Sequence, residues 1–287
     1  MMAKKKDKRP AEIFGYPIGN QSNAAQNARQ NHWCPFRDGS CTKKSRLIKY
    51  PFGVCSVEYD GGIRTICPGR FEERGSIDGV ARVLEDVAVH HFNDTDNIVV
   101  FPEVGLPNVG KIDYVIVKHK PMQAVVDDFV AVEFQTDSTT KTGGLVRGVR
   151  DFCEEGGLQS QSYDFDMNTY DSIKRAITQL MNKGRVYEAW NSKCYWVIQE
   201  YIYENLVARY GLKKKGFSKK HASVFALYDI EPNGDHLTLE HNRFISTTVD
   251  QIYKAMRNNP ALPKKDKFVE KLNKKLNEKM RLKLSIT

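Results

Sequence analysis

Three β-strand candidates follow one another between residues 97 and 135, and they constrain this chain more than any other feature. They read NIVVFPEV, KIDYVIVKHK and DFVAVEFQ, separated by the turn-rich LPNVG and one further loop. Successive side chains of a strand point to opposite faces. In DFVAVEFQ the carboxylate of Glu133 and the carboxamide of Gln135 therefore share one face, while Val132 and Phe134 fill the other. Such a strand is either an amphipathic edge with one face in water or the wall of a polar site.

The flanking segments predict an α/β fold. SIDGVARVLEDVAVHHF has helical apolar spacing, with Ser76 as its N-cap candidate. NTYDSIKRAITQLMNKG is a second helix, opened by Asn168 and Asp171. YWVIQ reads as a strand and YENLVARYG as a helix closed by Gly211. ASVFALYDI and HLTLEHNRFIST form a hairpin through EPNGD, and Thr248 with Gln251 opens a short helix, TVDQIYKAMRN. Upstream, residues 10 to 33 read as an irregular arm or short helices. Residues 34 to 75 read as loop-rich, with short strands at SRLIKYPF and VCSVEY. The expected division is an N-terminal arm and cysteine module over residues 1–75, a catalytic domain over 76–263 and a basic C-terminal helix over 264–287. That last helix carries Phe268, Leu272, Leu276 and Met280 every four residues, as a stripe packed on the body or facing DNA or a second subunit.

At 287 residues the chain has ample length for a core, and no apolar run reaches the eighteen residues of a membrane span. The basic start MMAKKKDKRPAE is not followed by an apolar segment, so no signal peptide is expected and the setting is cytoplasmic. The formal charge of +9 lies at the ends. Residues 1 to 9 hold five basic groups and one acidic, residues 264 to 287 hold nine basic and three acidic, and the body between sums to −1. Basic ends on a near-neutral body suit phosphate-contacting arms as well as solubilising tails.

Four of the six cysteines, Cys34, Cys41, Cys55 and Cys67, fall close together, with six, thirteen and eleven residues between them. In a reducing compartment this argues against disulfides and for either metal binding or plain burial. Four thiolates make a closed tetrahedral structural site that suits zinc and iron equally. The module would carry Arg37, Lys43, Lys44, Arg46 and Arg70 toward DNA, whereas Cys153 and Cys194 read as small core residues.

Asp113 lies in the strand before Glu133, so pairing of the two strands brings both carboxylates within reach of one hard cation. Magnesium commonly takes only one or two carboxylates and leaves the remaining positions to water and a phosphate. It can then polarise a phosphodiester and lower the pKa of a bound water. Gln135 can hydrogen-bond the attacking water, although it brings no charge. The following TDSTTKTGG offers hydroxyls and backbone N–H groups to a phosphate backbone. A further acid could complete the site, Glu103 or Glu85, and Glu103 is favoured because a neighbouring strand reaches the same pocket more easily.

GKID followed by EFQ, with nineteen residues between Asp113 and Glu133, resembles the PD-(D/E)xK nuclease core in the variant where the final Lys is Gln. Combined with Cys34-Pro, Cys41, Cys55-Ser-Val and Cys67-Pro, the arrangement is similar to the NotI family of type II restriction endonucleases. Ile112 stands where the motif has its Pro. The resemblance implies a PD-(D/E)xK core with a mixed central sheet flanked by helices, behind a loop-rich four-cysteine module. It implies that Asp113 and Glu133 hold a catalytic magnesium, that Gln135 replaces the Lys, and that the four cysteines form a tetrathiolate iron site. The implied activity is magnesium-dependent, site-specific hydrolysis of double-stranded DNA at a GC-rich palindrome by a homodimer. The alternatives are a non-specific repair or recombination nuclease and a non-catalytic, metal-stapled DNA-binding regulator.

Overall fold

The structure, a computed structural model, describes residues 7–77, 79–213, 216–259 and 262–284. The chain opens with strands β1 (Lys8–Ile13) and β2 (Tyr16–Pro17), helix α1 (Asn23–Gln30) and the two-residue strands β3 (Trp33–Cys34) and β4 (Gly39–Ser40). Strands β5 (Val54–Tyr59) and β6 (Gly62–Thr65) follow, and a short 3₁₀ turn spans Pro68–Glu72. β2, β1, β5 and β6 pair in that order as an antiparallel sheet.

β1 is a correction to the expected irregular arm. Its register against β5 shifts on both sides of Glu12, so the chain shows no period-two pattern there although Ala11, Glu12 and Ile13 are buried. SRLIKYPF also departs from expectation. Residues 46–50 form turns and bends, and only VCSVEY becomes a strand.

Then come α2 (Arg82–Phe92), β7 (Ile98–Leu106), β8 (Gly110–His119), β9 (Val126–Gln135), β10 (Thr139–Thr140), α3 (Thr142–Glu154), β11 (Asp166–Met167) and α4 (Thr169–Trp190). The chain continues through β12 (Lys193–Gln199), α5 (Glu200–Tyr210), the hairpin β13 (Ser223–Asn233) and β14 (His236–Thr247), α6 (Val249–Arg257) and α7 (Lys265–Leu284). A six-stranded sheet runs β14-β13-β12-β9-β8-β7, and among the described residues there are seven α-helices. β12 pairs parallel with both β9 and β13, while the outer pairings are antiparallel, so this is a mixed α/β architecture.

Two apolar layers cover this sheet. Val83, Leu84, Val87 and Ala88 of α2 pack with Ile116, Val130, Val132 and Phe134 on one face. Ile173, Ile177 and Leu180 of α4, with Ile202 and Leu206 of α5, pack with Ala131, Trp196, Ile198 and Phe225 on the other. β9 is thus a central strand buried on both sides. Glu133 is 1% exposed, which removes the reading of a solvated edge.

Other expectations shift in detail. α2 begins at Arg82, because Ser76 gives its N–H and hydroxyl to the Glu85 carboxylate instead of capping a helix. α4 continues through Gly184 to Trp190. A Cβ on Gly184 would lie 3.0 Å from Val249 and 3.1 Å from Ser223, so the glycine permits close packing rather than ending the helix. Thr248 does cap α6 by accepting from Gln251 N at 3.1 Å. Cys194 is buried as expected, but Cys153 is exposed. The α7 stripe stands in solvent, with Phe268 59% and Leu276 57% exposed, so it is not packed on the body.

Two buried polar links tie the N-terminal sheet to the main one. Gln199 Oε1 accepts from Thr65 N at 2.5 Å, and its Nε2 donates to Ile63 O at 2.9 Å, as a strand backbone would. Arg70, fully buried, donates to Glu12 at 3.0 Å and to Leu237 O at 2.7 Å, and also pairs with Glu73. This removes Arg70 from the residues expected to be offered to DNA.

Candidate active site

β8 and β9 pair antiparallel as far as Tyr114 opposite Val132. Asp113 and Glu133 are the next residue of each strand beyond that pair, and they lie near enough for the Asp113 charge to act on the Glu133 carboxyl. Asp113 Oδ2 accepts from Phe134 N at 2.8 Å. Glu133 Oε1 accepts from Lys183 Nζ of α4 at 2.5 Å, and the same ammonium donates to Lys111 O at 2.5 Å. Burial pushes the Glu133 carboxyl up to about 7. The Lys183 hydrogen bond opposes that shift and the nearby Asp113 charge adds to it. Gln135, two residues on and on the same face, donates through Nε2 to Gln179 of α4.

Asp113 and Gln135 open onto a cleft of about 770 Å³, whose rim carries Lys43, Lys44, Lys174 and Arg175. One wall is the turn after β9, held by Asp137. Its carboxylate accepts from Thr169 Oγ1 at 2.5 Å, Ser172 Oγ at 2.8 Å, Tyr201 Oη at 2.7 Å and Ser138 N at 2.7 Å. Behind that turn, Gly144 in the first turn of α3 fits because a Cβ there would lie 2.0 Å from Asp164 O. Lys43 is half-buried and donates to Ile66 O at 2.7 Å. The cleft can accept a polyanion along its basic rim and a hard cation at its carboxylates.

Of the residues expected at the site, the structure brings Asp113, Glu133 and Gln135 together. Glu103 it does not. Its side chain is 74% exposed, pairs with Lys111 at 2.9 Å and does not line the cleft. Glu103 takes a left-handed backbone, φ 51°, which interrupts the alternation that would aim it with Asp113. Glu85 lies on α2 across the sheet and receives the Ser76 and Ile77 N–H groups, so it closes a loop instead. The carboxylates present suit magnesium, which needs no more than two from the protein.

All four N-terminal cysteines are free: Cys34 on β3, Cys41 after β4, Cys55 on β5 and Cys67 before the 3₁₀ turn. Burial raises the Cys34 thiol, and neighbouring Cys67 and Cys41 raise it further. Burial, then Glu12, Cys67 and Cys34, push Cys55 well above its ordinary value. The thiols therefore feel one another's charge, and thiolate sulfur is a donor type that suits zinc or iron. Among the described residues no three His, Cys, Asp or Glu groups stand in a metal-holding cluster.

Sequence reasoning missed Lys183, Asp137 and Gln179. A signal existed for the first: Ala176, Leu180, Lys183 and Tyr187 lie on one face of α4, so a lysine occupies a core position of an apolar stripe.

Residues 12–233 match the family described as Restriction endonuclease NotI. No curated protein matches the chain. Among the described residues no helix is long and apolar enough to cross a membrane. The family match runs from β1 through β13, across the cysteine-bearing sheet and the strands that carry Asp113, Glu133 and Gln135. The chain belongs to the NotI restriction endonuclease family and is a type II site-specific deoxyribonuclease acting on DNA.

Proposed function

We propose that the enzyme cuts both strands of a GC-rich palindrome as a magnesium-dependent homodimer, with a PD-(D/E)xK active site in its ExQ form. The observation that carries this reading is Asp113, near enough to the buried Glu133 for its charge to raise that carboxyl, opening together with Gln135 onto a basic-rimmed cleft. Asp113 and Glu133 hold the divalent ion, which when bound supplies Lewis-acid activation of the phosphodiester and a water of lowered pKa. Gln135 fixes the direction of the attacking water through its carboxamide and adds no charge. Lys43, Lys44, Lys174 and Arg175 hold the flanking phosphates, which positions the scissile bond without reading sequence. A two-fold dimer matches the two-fold symmetry of a palindrome.

Cys34, Cys41, Cys55 and Cys67 hold a structural zinc or iron that orders the N-terminal module of residues 1–75. Residues 76–263 form the catalytic unit and 264–287 a basic terminal helix. Free thiols in this number suit a reducing, cytoplasmic setting.

The test is digestion of a mixed-sequence plasmid with and without magnesium. Discrete bands that require the ion are expected, with cut ends mapping to a GC-rich palindrome. A smear would replace this reading with a non-specific nuclease, and uncut but bound DNA with a regulator.

A further inference from the structure

Lys183 is almost fully buried, and its ammonium is bonded at two points that belong to two different strands. One is Lys111 O on β8, two residues before Asp113. The other is Glu133 Oε1 on β9. Both lie beyond Tyr114 opposite Val132, where the backbone ladder between β8 and β9 ends. Past that point, side chains hold the two strands together at the site: Asp113 Oδ2 on Phe134 N from one side, and Lys183 on Lys111 O and Glu133 Oε1 from the other. On its far side β9 is held by β12, where Glu133 pairs with Trp196 and Gln135 with Ile198. β8 is held likewise on its own far side by β7, where Ile112 pairs with Val104 and Lys111 with Gly105, so across the site itself the two strands are joined by these side-chain links. Lys183 sits one helical turn after Gln179, which touches Gln135, so a single face of α4 addresses both polar residues of β9.

We propose that Lys183 is a positioning residue for the nuclease reaction: by binding Lys111 O and Glu133 Oε1 together it sets the Glu133 carboxylate, and leaves its Oε2, at the spacing from Asp113 that a divalent ion requires. This rests on the assignment of Asp113 and Glu133 as the ion's ligands. Lys183 acts through Glu133 and touches neither the ion nor DNA. Removing the anchor frees the Glu133 rotamer, so ion binding and turnover suffer while DNA capture along the rim does not.

The experiment compares full-length wild type with Lys183→Met, Lys183→Gln, Lys183→Arg and Glu133→Ala. Binding of Mn²⁺ to the protein alone is read from the electron paramagnetic resonance signal of the free ion, and plasmid cleavage is read as separate kcat and KM. Lys183→Met is expected to weaken Mn²⁺ binding about tenfold, as loss of a ligand-orienting partner does. It is expected to lower kcat about 100-fold with KM unchanged. Lys183→Arg restores part of both. If Lys183→Met fails to fold, Lys183→Gln, whose uncharged amide ends one bond short of the ammonium and so does not bridge the two oxygens, decides in its place. Wild-type Mn²⁺ affinity and kcat in the folded neutral variant overturn the proposal. If Glu133→Ala has then lost cleavage, the metal-site assignment stands without Lys183; if Glu133→Ala also cuts normally, that assignment has failed and takes the proposal with it.

Discussion

Asp113 accepts the backbone N–H of Phe134 at 2.8 Å, one residue beyond the last backbone pair of β8 and β9. A side-chain acceptor thus replaces a strand carbonyl at the place where the strands part. The consequence is that Asp113 is oriented before any ligand arrives, with one oxygen engaged by the backbone and its neighbour Glu133 fixed from α4. Preorganised carboxylates need no rearrangement on binding an ion, which is where much of the catalytic advantage of such sites arises.

Replacing either carboxylate should therefore separate binding from chemistry. Asp113→Ala and Glu133→Ala are expected to lower kcat about 1,000-fold, the equivalent of the several kcal/mol of charge stabilisation that a bound divalent ion supplies. Gel-shift affinity for plasmid fragments without magnesium should stay near wild type. Undiminished cutting by either variant would show that the ion is held elsewhere.

The cysteine neighbourhood predicts a cooperative loss. Metal content measured by plasma emission on purified protein should fall to background in Cys55→Ser, because a closed four-thiolate site does not tolerate a missing ligand. Chelation of wild type should expose the β2-β1-β5-β6 sheet to proteolysis before the main sheet. A Cys55→Ser protein that retained its full metal load would contradict the four-cysteine assignment.

Arg70 and Glu12 form a fully buried pair between the two sheets. Arg70→Met leaves the Glu12 charge without compensation in a low-dielectric interior and should cost about 3–5 kcal/mol in urea unfolding. Glu12→Leu added to it should recover most of that loss. A cost below about 1 kcal/mol for the single variant would mean that water reaches Glu12.

His90 predicts the acid limb of the stability curve. Burial first, then His241, His91 and Lys193 nearby, lower it to about 4 from its ordinary 6.5. Its ring stacks on Phe244 at 3.8 Å and its Nδ1 lies 2.8 Å from Tyr195 Oη. A histidine depressed in the folded state is neutral there while the unfolded chain binds a proton. Its contribution is complete above 6.5 and is lost as pH falls through 4. Melting temperatures of His90→Phe should accordingly decline less than wild type between pH 7 and 4. Parallel curves for the two proteins would assign the acid sensitivity to other groups.

Much of the catalytic half was readable because its signals are local. The strand candidates became β7, β8 and β9, the β13–β14 hairpin turns at Gly234 and Asp235 within EPNGD, Gly211 ends α5 in a left-handed conformation at φ 64°, and Thr248 caps α6. Elements that rely on distant partners were not readable. β1 hides its period in two register shifts, and Ser76 serves Glu85 rather than a helix end.

Within the site, the chain alone determined that Glu133 and Gln135 share a face, because strand geometry makes residues two apart point the same way. It also put Asp113 on the preceding strand, where pairing could reach them. Tertiary structure decided the rest. It buried β9 on both faces, turned Glu103 out to Lys111, and delivered Lys183 and Gln179 to the strand from a helix some fifty residues later. Those placements depend on how the layers stack, and burial and long-range hydrogen bonds arise only when segments far apart in the chain share one low-dielectric interior.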